Sequence, residues 1–365
     1  IFLVVMESYD SWPLTEKYKD LNISNNLKSI GNKGISFMNF LPASYSTMNS
    51  FASIVTNIPY SGVNMSIIGA NKSYPSSIFK QFKTLGYQTN FFYGGYLSWQ
   101  NIKNFTKKQG VENVFGAGNI SDSHGIWGVN DESLFEKVLA KVDDQKNSLN
   151  IILTTSFHSP YEIDVFSKGF PYSSKEELPD KIKKIYDEGN LSIKALGHLW
   201  YADMAIGKFV KKAEKKYPNA LFAFTGDHFG RKFINGSPTL YESSSVPFIL
   251  YGKSIDEKSE ANCNPGSHID IAPTLIELVA PSNFTYYSFG NSLLNNNRKN
   301  KLGIGYNKVI NSNQISEFSK NYGIKKQSIN SCIQKNDLLF EENKREHDSL
   351  MSLAWHYVTN GDRLD

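Results

Sequence analysis

The sequence predicts an α/β protein with a mostly parallel central sheet, helices on both faces of that sheet, and a small C-terminal subdomain. Three observations lead to this prediction. Short apolar runs alternate with amphipathic stretches along the first 300 of the 365 residues. The composition, with 40% hydrophobic residues, is sufficient for a large core. A polar, linker-like stretch then precedes a charged helical pattern near the C-terminus. Strand–helix alternation at this spacing is typical of parallel sheets covered on both faces.

The apolar runs are the strand candidates. Most are near-continuous in Val, Ile, Leu and Phe, as expected of strands that are buried on both faces. They comprise residues 1–5, 34–40, 87–93, 149–156, 220–226 and 246–252.

Amphipathic stretches between the runs predict the helices, at residues 76–86, 130–144, 198–216 and 269–279. Asn130 or Asp131 can cap the second helix. Lysines gather at the end of the third, where the helix dipole favours cations. Pro273 either begins or interrupts the fourth helix.

The chain divides unequally. We expect a main domain over residues 1–290, and a linker with a small subdomain over residues 291–365 that includes a charged helix around 337–356. Residues 165–190 are polar and carry two prolines, which predicts a surface excursion. The two cysteines, Cys263 and Cys332, form either one disulfide or two unrelated buried thiols.

The charge pattern limits the classes of molecule that the chain is expected to bind. The formal net charge is +4, but the lysines are spread along the chain, which argues against nucleic acid as a partner. Weak attraction to anionic lipid headgroups or to phosphate substrates is compatible with this charge. No apolar run reaches the roughly 18 residues of a membrane span. Because the sequence begins inside a strand and without Met, we expect it to be a fragment preceded by a membrane-anchoring segment.

Polar residues follow three of the predicted strands directly. The first strand is followed by Glu7, the fourth by His158, and the fifth by Asp227 and His228. Each residue alone is more often a solvated strand end than a functional group. Because the carboxyl ends of parallel strands meet at one edge, however, the set predicts a site for a divalent cation such as Mn²⁺, Zn²⁺ or Mg²⁺.

A nucleophile is expected in the hydroxyl-rich stretch 42–60. Ser44, Ser46, Thr47 and Ser50 lie at the head of a predicted helix, where the positive dipole and free N–H groups can hold a phosphate. A cation bound to one of these hydroxyls would make it a nucleophile. Ser44, Ser46 and Thr47 can also simply cap the helix, and spacing alone does not choose between these alternatives.

The order VVMES, a hydroxyl before a helix, SFHSPY, FTGDH and SHIDIAPTLIEL resembles the alkaline phosphatase/sulfatase superfamily. Over about residues 1–290 the chain is most similar to the extracytoplasmic catalytic domain of lipoteichoic acid synthase-type phosphoglycerol transferases. The resemblance implies one divalent metal ion, Mn²⁺ ahead of Zn²⁺ or Mg²⁺, held by Glu7, Thr47, Asp227 and His228. It also implies that Thr47 is the nucleophile.

The resemblance extends to residues that contact substrate. His158 would bind the phosphate or serve the leaving group, and Trp99 would line the headgroup pocket. Tyr93 and Asn101, together with Gly95, stand where the Gram-positive synthases carry His, Asp and Arg, so the arginine that grips glycerol phosphate is absent. The pattern is more similar to Gram-negative relatives, whose acceptors include periplasmic glycans or lipids.

His268 has two interpretations. It can approach the metal or the substrate, or it can pack on the sheet edge at the start of a helix. We count it among the substrate-binding candidates on the strength of the family stretch IDIAPT that follows it.

The expected function is a metal-dependent transferase that moves a phosphoglycerol-type group from a phospholipid headgroup donor to a glycan or lipid acceptor through a phosphothreonine. The expected location is extracytoplasmic, at the membrane, facing the periplasm or the outside. Alternatives are a phosphoethanolamine transferase, a phosphodiesterase or sulfatase of the same superfamily, and a non-catalytic binding domain. The C/S-x-P-x-R stretch of sulfatases is absent near residues 42–60.

Overall fold

The computed structural model describes residues 1–68, 71–121, 125–230, 232–255, 264–298, 301–319, 323–329 and 340–360. Its strands in chain order are β1 (Phe2–Met6), β2 (Ile35–Phe37), β3 (Phe40–Leu41), β4 (Gln88–Tyr93), β5 (Asn113–Phe115), β6 (Ser148–Leu153), β7 (Phe222–Gly226), β8 (Phe248–Tyr251), β9 (Gly266–Ser267), β10 (Gly303–Gly305), β11 (Lys308–Ile310), β12 (Gln314–Ser319) and β13 (Gly323–Ser328). Its helices are α1 (Asn25–Asn32), α2 (Thr47–Thr56), α3 (Ile78–Thr84), α4 (Ile102–Lys108), α5 (Asp131–Lys141), α6 (Asp180–Lys183), α7 (Ile193–Lys216), α8 (Ile271–Val279) and α9 (Phe340–Asn360).

The central sheet has seven strands in the order β2-β8-β7-β1-β6-β4-β5. The pairs from β7 through β5 are parallel, and β8 runs antiparallel to both of its neighbours. The predicted mostly parallel sheet is therefore confirmed. Strand β1 lies inside the sheet, between β6 and β7, and all of its residues are buried.

Helices cover both faces of the sheet, as predicted. Successive residues of a strand point to opposite faces, and β1 shows this directly. Phe2, Val4 and Met6 pack in one apolar cluster with residues of α1, α5 and α7. Leu3 and Val5 pack in a second cluster with residues of α2, α3, α4 and α8. The continuous apolar run of β1 thus supplies the cores of both layers.

Several boundaries differ from the sequence prediction. The run 34–40 is divided between β2 and β3, and α1, α4 and β5 were not predicted. Helix α7 begins at Ile193, earlier than expected, because the Ser192 side chain caps it by accepting a hydrogen bond from the Ala195 N–H. The segment 165–190 is more than a surface excursion, since apolar side chains within it are buried in the core: Val165, Phe170, Leu178, Ile182 and Tyr186.

The small C-terminal subdomain is confirmed as an antiparallel sheet, β10-β11-β12-β13, with the charged helix α9 beside it. The His347 imidazole of α9 donates to the carbonyls of Gly305 and Tyr306, which fixes the turn between β10 and β11. The domain boundary at residue 290 stays a prediction, and Cys263 and Cys332 lie outside the described residues. Among the described helices, none has the length and apolarity needed to cross a bilayer.

Candidate metal centre and active site

Glu7 and Asp227 meet because their strands are neighbours in register. Met6 of β1 is paired with Gly226 of β7, so the residue that follows each strand leaves the sheet at the same edge. Ser8 then adopts a positive φ of 50°, a conformation uncommon for a residue with a side chain. This turn lets the Ser8 N–H donate to Asp227 Oδ1 at 2.7 Å. The local geometry therefore ties the two strand ends together.

The Asp227–His228 pair has unused electron lone pairs. Asp227 Oδ1 accepts from two backbone N–H groups, whereas the buried Oδ2 has no hydrogen-bond partner among the described residues. The His228 Nδ1–H donates to the Phe229 carbonyl at 2.7 Å. That bond selects the tautomer whose Nε2 carries a lone pair, as is usual for histidines that bind metals.

The Thr47 side chain lies close to Glu7 and His228. It is the first residue of α2, and the preceding Ser46 makes no side-chain cap bond, which leaves the N–H groups of the first turn available. Thr47 Oγ1 lies 3.4 Å from Glu7 Oε2 and 3.3 Å from His228 Nε2. The residue is half-buried, so its hydroxyl remains accessible from solvent.

These four side chains fit a single cation. Ligating atoms of Glu7, Asp227 and His228 all lie within 4.8 Å of one another. His228 Nε2 is 3.6 Å from Asp227 Oδ2 and 3.9 Å from Glu7 Oε1. Metal–ligand bonds of about 2.1 Å arranged as a tetrahedron place ligand atoms about 3.4 Å apart. The spacing and the orphaned Asp227 Oδ2 therefore fit a divalent metal ion.

A cleft of about 380 Å³ opens over this centre. Glu7, Thr47 and His228 form part of its lining, and Trp99, His158 and Lys232 lie around them. Among the described residues of the lining, Lys232 is the one fixed positive charge. The cleft thus offers an aromatic side, an imidazole and a cation around the metal ligands.

His158 is held in place by Trp127. The two ring centroids are 4.0 Å apart, and both side chains donate to the Ser159 carbonyl. With Nδ1–H used in this way, the other ring nitrogen of His158 carries a lone pair, and the residue lines the cleft. In the sequence, GIWGVNDES indicates a helix start at which Trp127 either packs or contacts substrate, and it gives no signal of the contact with His158.

Three other candidates lie behind the cleft lining. Tyr93 is buried, 6.1 Å from the Trp99 ring, and burial next to the charges of Glu7 and Asp227 raises its pKa well above the ordinary value. The Asn101 amide donates to the Ser66 carbonyl. His268 accepts from the Ala43 N–H and donates to the Gly226 carbonyl, and burial lowers its pKa to about 3.

The structure therefore brings together Glu7, Thr47, Asp227, His228, His158 and Trp99, but not Tyr93, Asn101 or His268. The physical reason is that other groups already occupy these side chains. Asn101 donates to the Ser66 carbonyl and accepts from the Asn104 amide, and both His268 nitrogens are bonded to backbone. The Tyr93 ring fills space between the sheet and Trp99. The sequence prediction also missed the role of Ser8, because a positive φ at serine has no signature in composition.

The sulfatase family model matches residues 1–281. The chain belongs to the sulfatase family. The lipoteichoic acid synthase-like protein YvgJ of Bacillus subtilis (strain 168) is 24% identical over 320 residues, which are 82% of this chain and 50% of YvgJ. This chain therefore spans about half the length of that relative.

Solved structures share the fold. The lipoteichoic acid synthase LtaP from Listeria monocytogenes superposes with a TM-score of 0.76 at 18% identity, covering 99% of this chain and 92% of LtaP. A protein of the alkaline phosphatase superfamily from Vibrio parahaemolyticus superposes with a TM-score of 0.74 at 20% identity, covering 99% and 87%. The resemblance read from VVMES, SFHSPY and FTGDH is thus confirmed at the level of family and fold.

Proposed function

We propose that this chain is the catalytic part of a metal-dependent phosphotransferase, which moves a phosphoglycerol-type group from a phospholipid to an envelope acceptor. The observation that carries the proposal is the position of Thr47 Oγ1, 3.3–3.4 Å from two of three buried side chains with metal-ligand spacing. The likeness to YvgJ supports the donor and the extracytoplasmic location, at the outer or periplasmic side of a membrane to which a segment outside this sequence would anchor the chain.

Glu7, Thr47, Asp227 and His228 would hold the ion. Two carboxylates, one imidazole and one hydroxyl suit Mn²⁺, with Zn²⁺ or Mg²⁺ as competitors. A periplasmic domain of the same fold, EcEptC from Escherichia coli, was solved in complex with Zn at a TM-score of 0.59. When bound, a divalent ion would lower the pKa of the Thr47 hydroxyl and neutralise phosphoryl charge.

The chain's own residues then account for two displacements. Thr47 gives its hydroxyl proton to solvent, its Oγ1 attacks the donor phosphorus, and the bond from phosphorus to the lipid oxygen breaks. His158, which lines the same cleft, would give a proton to that leaving oxygen. The N–H groups at the head of α2 would donate to the phosphoryl oxygens. An acceptor hydroxyl then attacks the phosphothreonine, and Thr47 Oγ1 leaves and regains its proton.

Trp99 and Lys232 would determine which phospholipid headgroup the cleft selects. Lys232 would contact an anionic phosphodiester as a point charge, which is less selective than a bidentate arginine. Asn101 and Tyr93, behind Trp99, would hold that wall of the cleft in place, and His268 would support the edge of the sheet. This leaves phosphoethanolamine as the competing headgroup.

The test is turnover of fluorescent phosphatidylglycerol and phosphatidylethanolamine by wild type and by Thr47→Ala, with Thr84→Ala, an exposed threonine on α3, as the matched control. We expect Thr47→Ala to lower turnover by at least roughly 10³-fold, and Thr84→Ala to leave it unchanged. Trapped wild type should carry a phosphoryl-linked group on the peptide that contains Thr47. Turnover that survives in Thr47→Ala would overturn the covalent route.

A further inference from the structure

A second cavity lies beside the catalytic cleft and shares none of the cleft's lining residues. Its volume is about 240 Å³, and its walls include Ser44, Tyr45, Phe229, Ser244 and Tyr306. One wall comes from the main domain, and the other comes from the β10–β11 turn of the C-terminal subdomain. That turn is fixed in place by the two hydrogen bonds from His347.

The cavity is next to the reacting groups along the backbone. Tyr45 precedes Thr47 by two residues, and Phe229 follows His228 directly. Their Cα atoms are therefore at most about 7.6 Å and about 3.8 Å from those of Thr47 and His228. A molecule in this cavity would lie next to the cleft that contains Trp99 and His158.

Two buried hydroxyls in the cavity wall lack partners. Ser44 is 3% exposed and Ser244 is 1% exposed. Neither Oγ makes a hydrogen bond within the described part of the chain. Because a buried polar group without a partner is costly, these hydroxyls indicate a place where a ligand supplies the missing hydrogen bonds.

Aromatic rings form the mouth of the cavity. The Tyr306 ring centroid is 6.2 Å from that of Tyr45 and 5.0 Å from that of Tyr60. Tyr45 and Tyr306 are also among the large side chains left exposed, at 49% and 39%. Exposed rings with polar edges, above a floor with hydroxyl groups, suit a ligand that has both C–H faces and hydroxyls.

The charge of the wall favours an uncharged ligand. Lys308 is the charged residue of the lining, and its Nζ lies 2.8 Å from Glu317 Oε1. The ion pair is mostly buried, with side-chain exposures of 13% and 21%. The cation is thereby neutralised, whereas Lys232 of the catalytic cleft makes no ion pair with any residue that the structure describes.

We propose that this cavity is the acceptor subsite and binds one uncharged sugar residue of an envelope glycan. The inference rests on the proposed function and names its acceptor. The volume is below the roughly 300–1,000 Å³ of sites for drug-sized ligands, which suits a single sugar residue. A sugar hydroxyl there attacks the phosphorus of the phosphothreonine, the bond to Thr47 Oγ1 breaks, and the hydroxyl's proton passes to Thr47. The product is a sugar phosphodiester.

Binding tests the subsite without any need for catalysis. Methyl α-D-glucopyranoside and glucose 6-phosphate are titrated into the 365-residue chain and followed by saturation-transfer NMR. We expect the neutral glycoside to bind more tightly than the phosphate. Tyr306→Ala and the double variant Ser44→Ala/Ser244→Ala should each raise its Kd by at least fivefold, and Tyr306→Phe should restore most of the affinity. Tyr287→Ala, which removes another exposed tyrosine, is the matched control.

The outcomes separate this inference from the proposed function. Loss of turnover in Thr47→Ala together with glycoside binding that Tyr306→Ala does not weaken overturns the subsite alone. Glycoside binding that needs Tyr306, with turnover that does not need Thr47, retains the subsite and overturns the covalent route. With a labelled phosphatidylglycerol donor, Tyr306→Ala should lower the ratio of glycoside transfer to hydrolysis by at least fivefold. An unchanged ratio contradicts the proposal.

Discussion

Two Asp–His pairs stand at strand ends in this molecule, and they are built differently. Asp227 and His228 follow β7, and His268 and Asp270 follow β9. All four side chains are buried. In the first pair, backbone contacts occupy Asp227 Oδ1 and His228 Nδ1 only. In the second pair, backbone contacts occupy both ring nitrogens of His268.

The carboxylates show the same contrast. Asp270 accepts from Asn291 on one oxygen and from Ser267 on the other. Asp227 keeps Oδ2 without a partner in the described part of the chain. The comparison teaches that burial and a place at the sheet edge do not make a ligand. A ligand also needs a lone pair that the fold has left unused, and here only the first pair has one on each residue.

The largest effect is expected from Asp227→Asn. The amide keeps the shape and can still accept at Oδ1, but it removes the negative charge that a cation needs. We expect loss of bound metal, measured by mass spectrometry of the purified protein, and a fall in donor turnover of at least roughly 10³-fold.

Asp270→Asn is the control from the second pair. It should retain the metal and lower the free energy of unfolding by about 1–3 kcal/mol, because hydrogen bonds to a buried carboxylate are weakened. The distinction between the two pairs would be wrong if Asp227→Asn still bound metal. It would also be wrong if Asp270→Asn folded but lost its metal.

A smaller effect is expected on the pH dependence of stability, through His268. Burial lowers the pKa of His268 from 6.5 to about 3. Below pH 6.5 the unfolded chain takes up a proton that the folded chain does not, so stability present above pH 6.5 is lost as pH falls towards 3. His268→Gln preserves both hydrogen-bond roles and removes the titration. The variant's unfolding free energy should therefore depend less on pH in this window, by up to about 1.4 kcal/mol per pH unit.

Urea denaturation at several pH values measures this difference, and metal content at pH 7.5 should be the same in His268→Gln and wild type. Equal pH slopes for the two proteins would mean that His268 is not held neutral by the fold.

The smallest effect is expected from Lys232→Gln. Lys232 is exposed at the cleft, and exposed charges contribute modestly and are screened by salt. We expect kcat/KM for an anionic phospholipid to fall about 3–10-fold at low salt, and the fall to shrink at high salt. Lys33→Gln, at an exposed lysine after α1, is the matched control. A loss of activity that does not depend on salt would show that Lys232 acts by something other than its charge.

The main features of the fold could be predicted because short stretches of sequence determine them. The predicted apolar runs became β1, β4, β6, β7 and β8, and the Asn130 cap of α5 accepts from the Ser133 N–H as expected. Short elements with weak patterns, such as β5 and α4, could not be found. They are stabilised by their neighbours in the sheet and core rather than by their own propensity.

The sequence by itself determined which residues leave the strands with ligand chemistry: Glu7, Asp227 and His228, and the hydroxyls before α2. This is so because strand pattern and residue type are local properties. Only the tertiary structure decided that Thr47, among those hydroxyls, lies next to the Glu7 carboxylate. It also decided that both ring nitrogens of His268 are hydrogen-bonded to backbone, and that the β10–β11 turn lines a second cavity. Those outcomes depend on which polar atoms form hydrogen bonds with residues that are distant in sequence. The packing of the whole chain decides this.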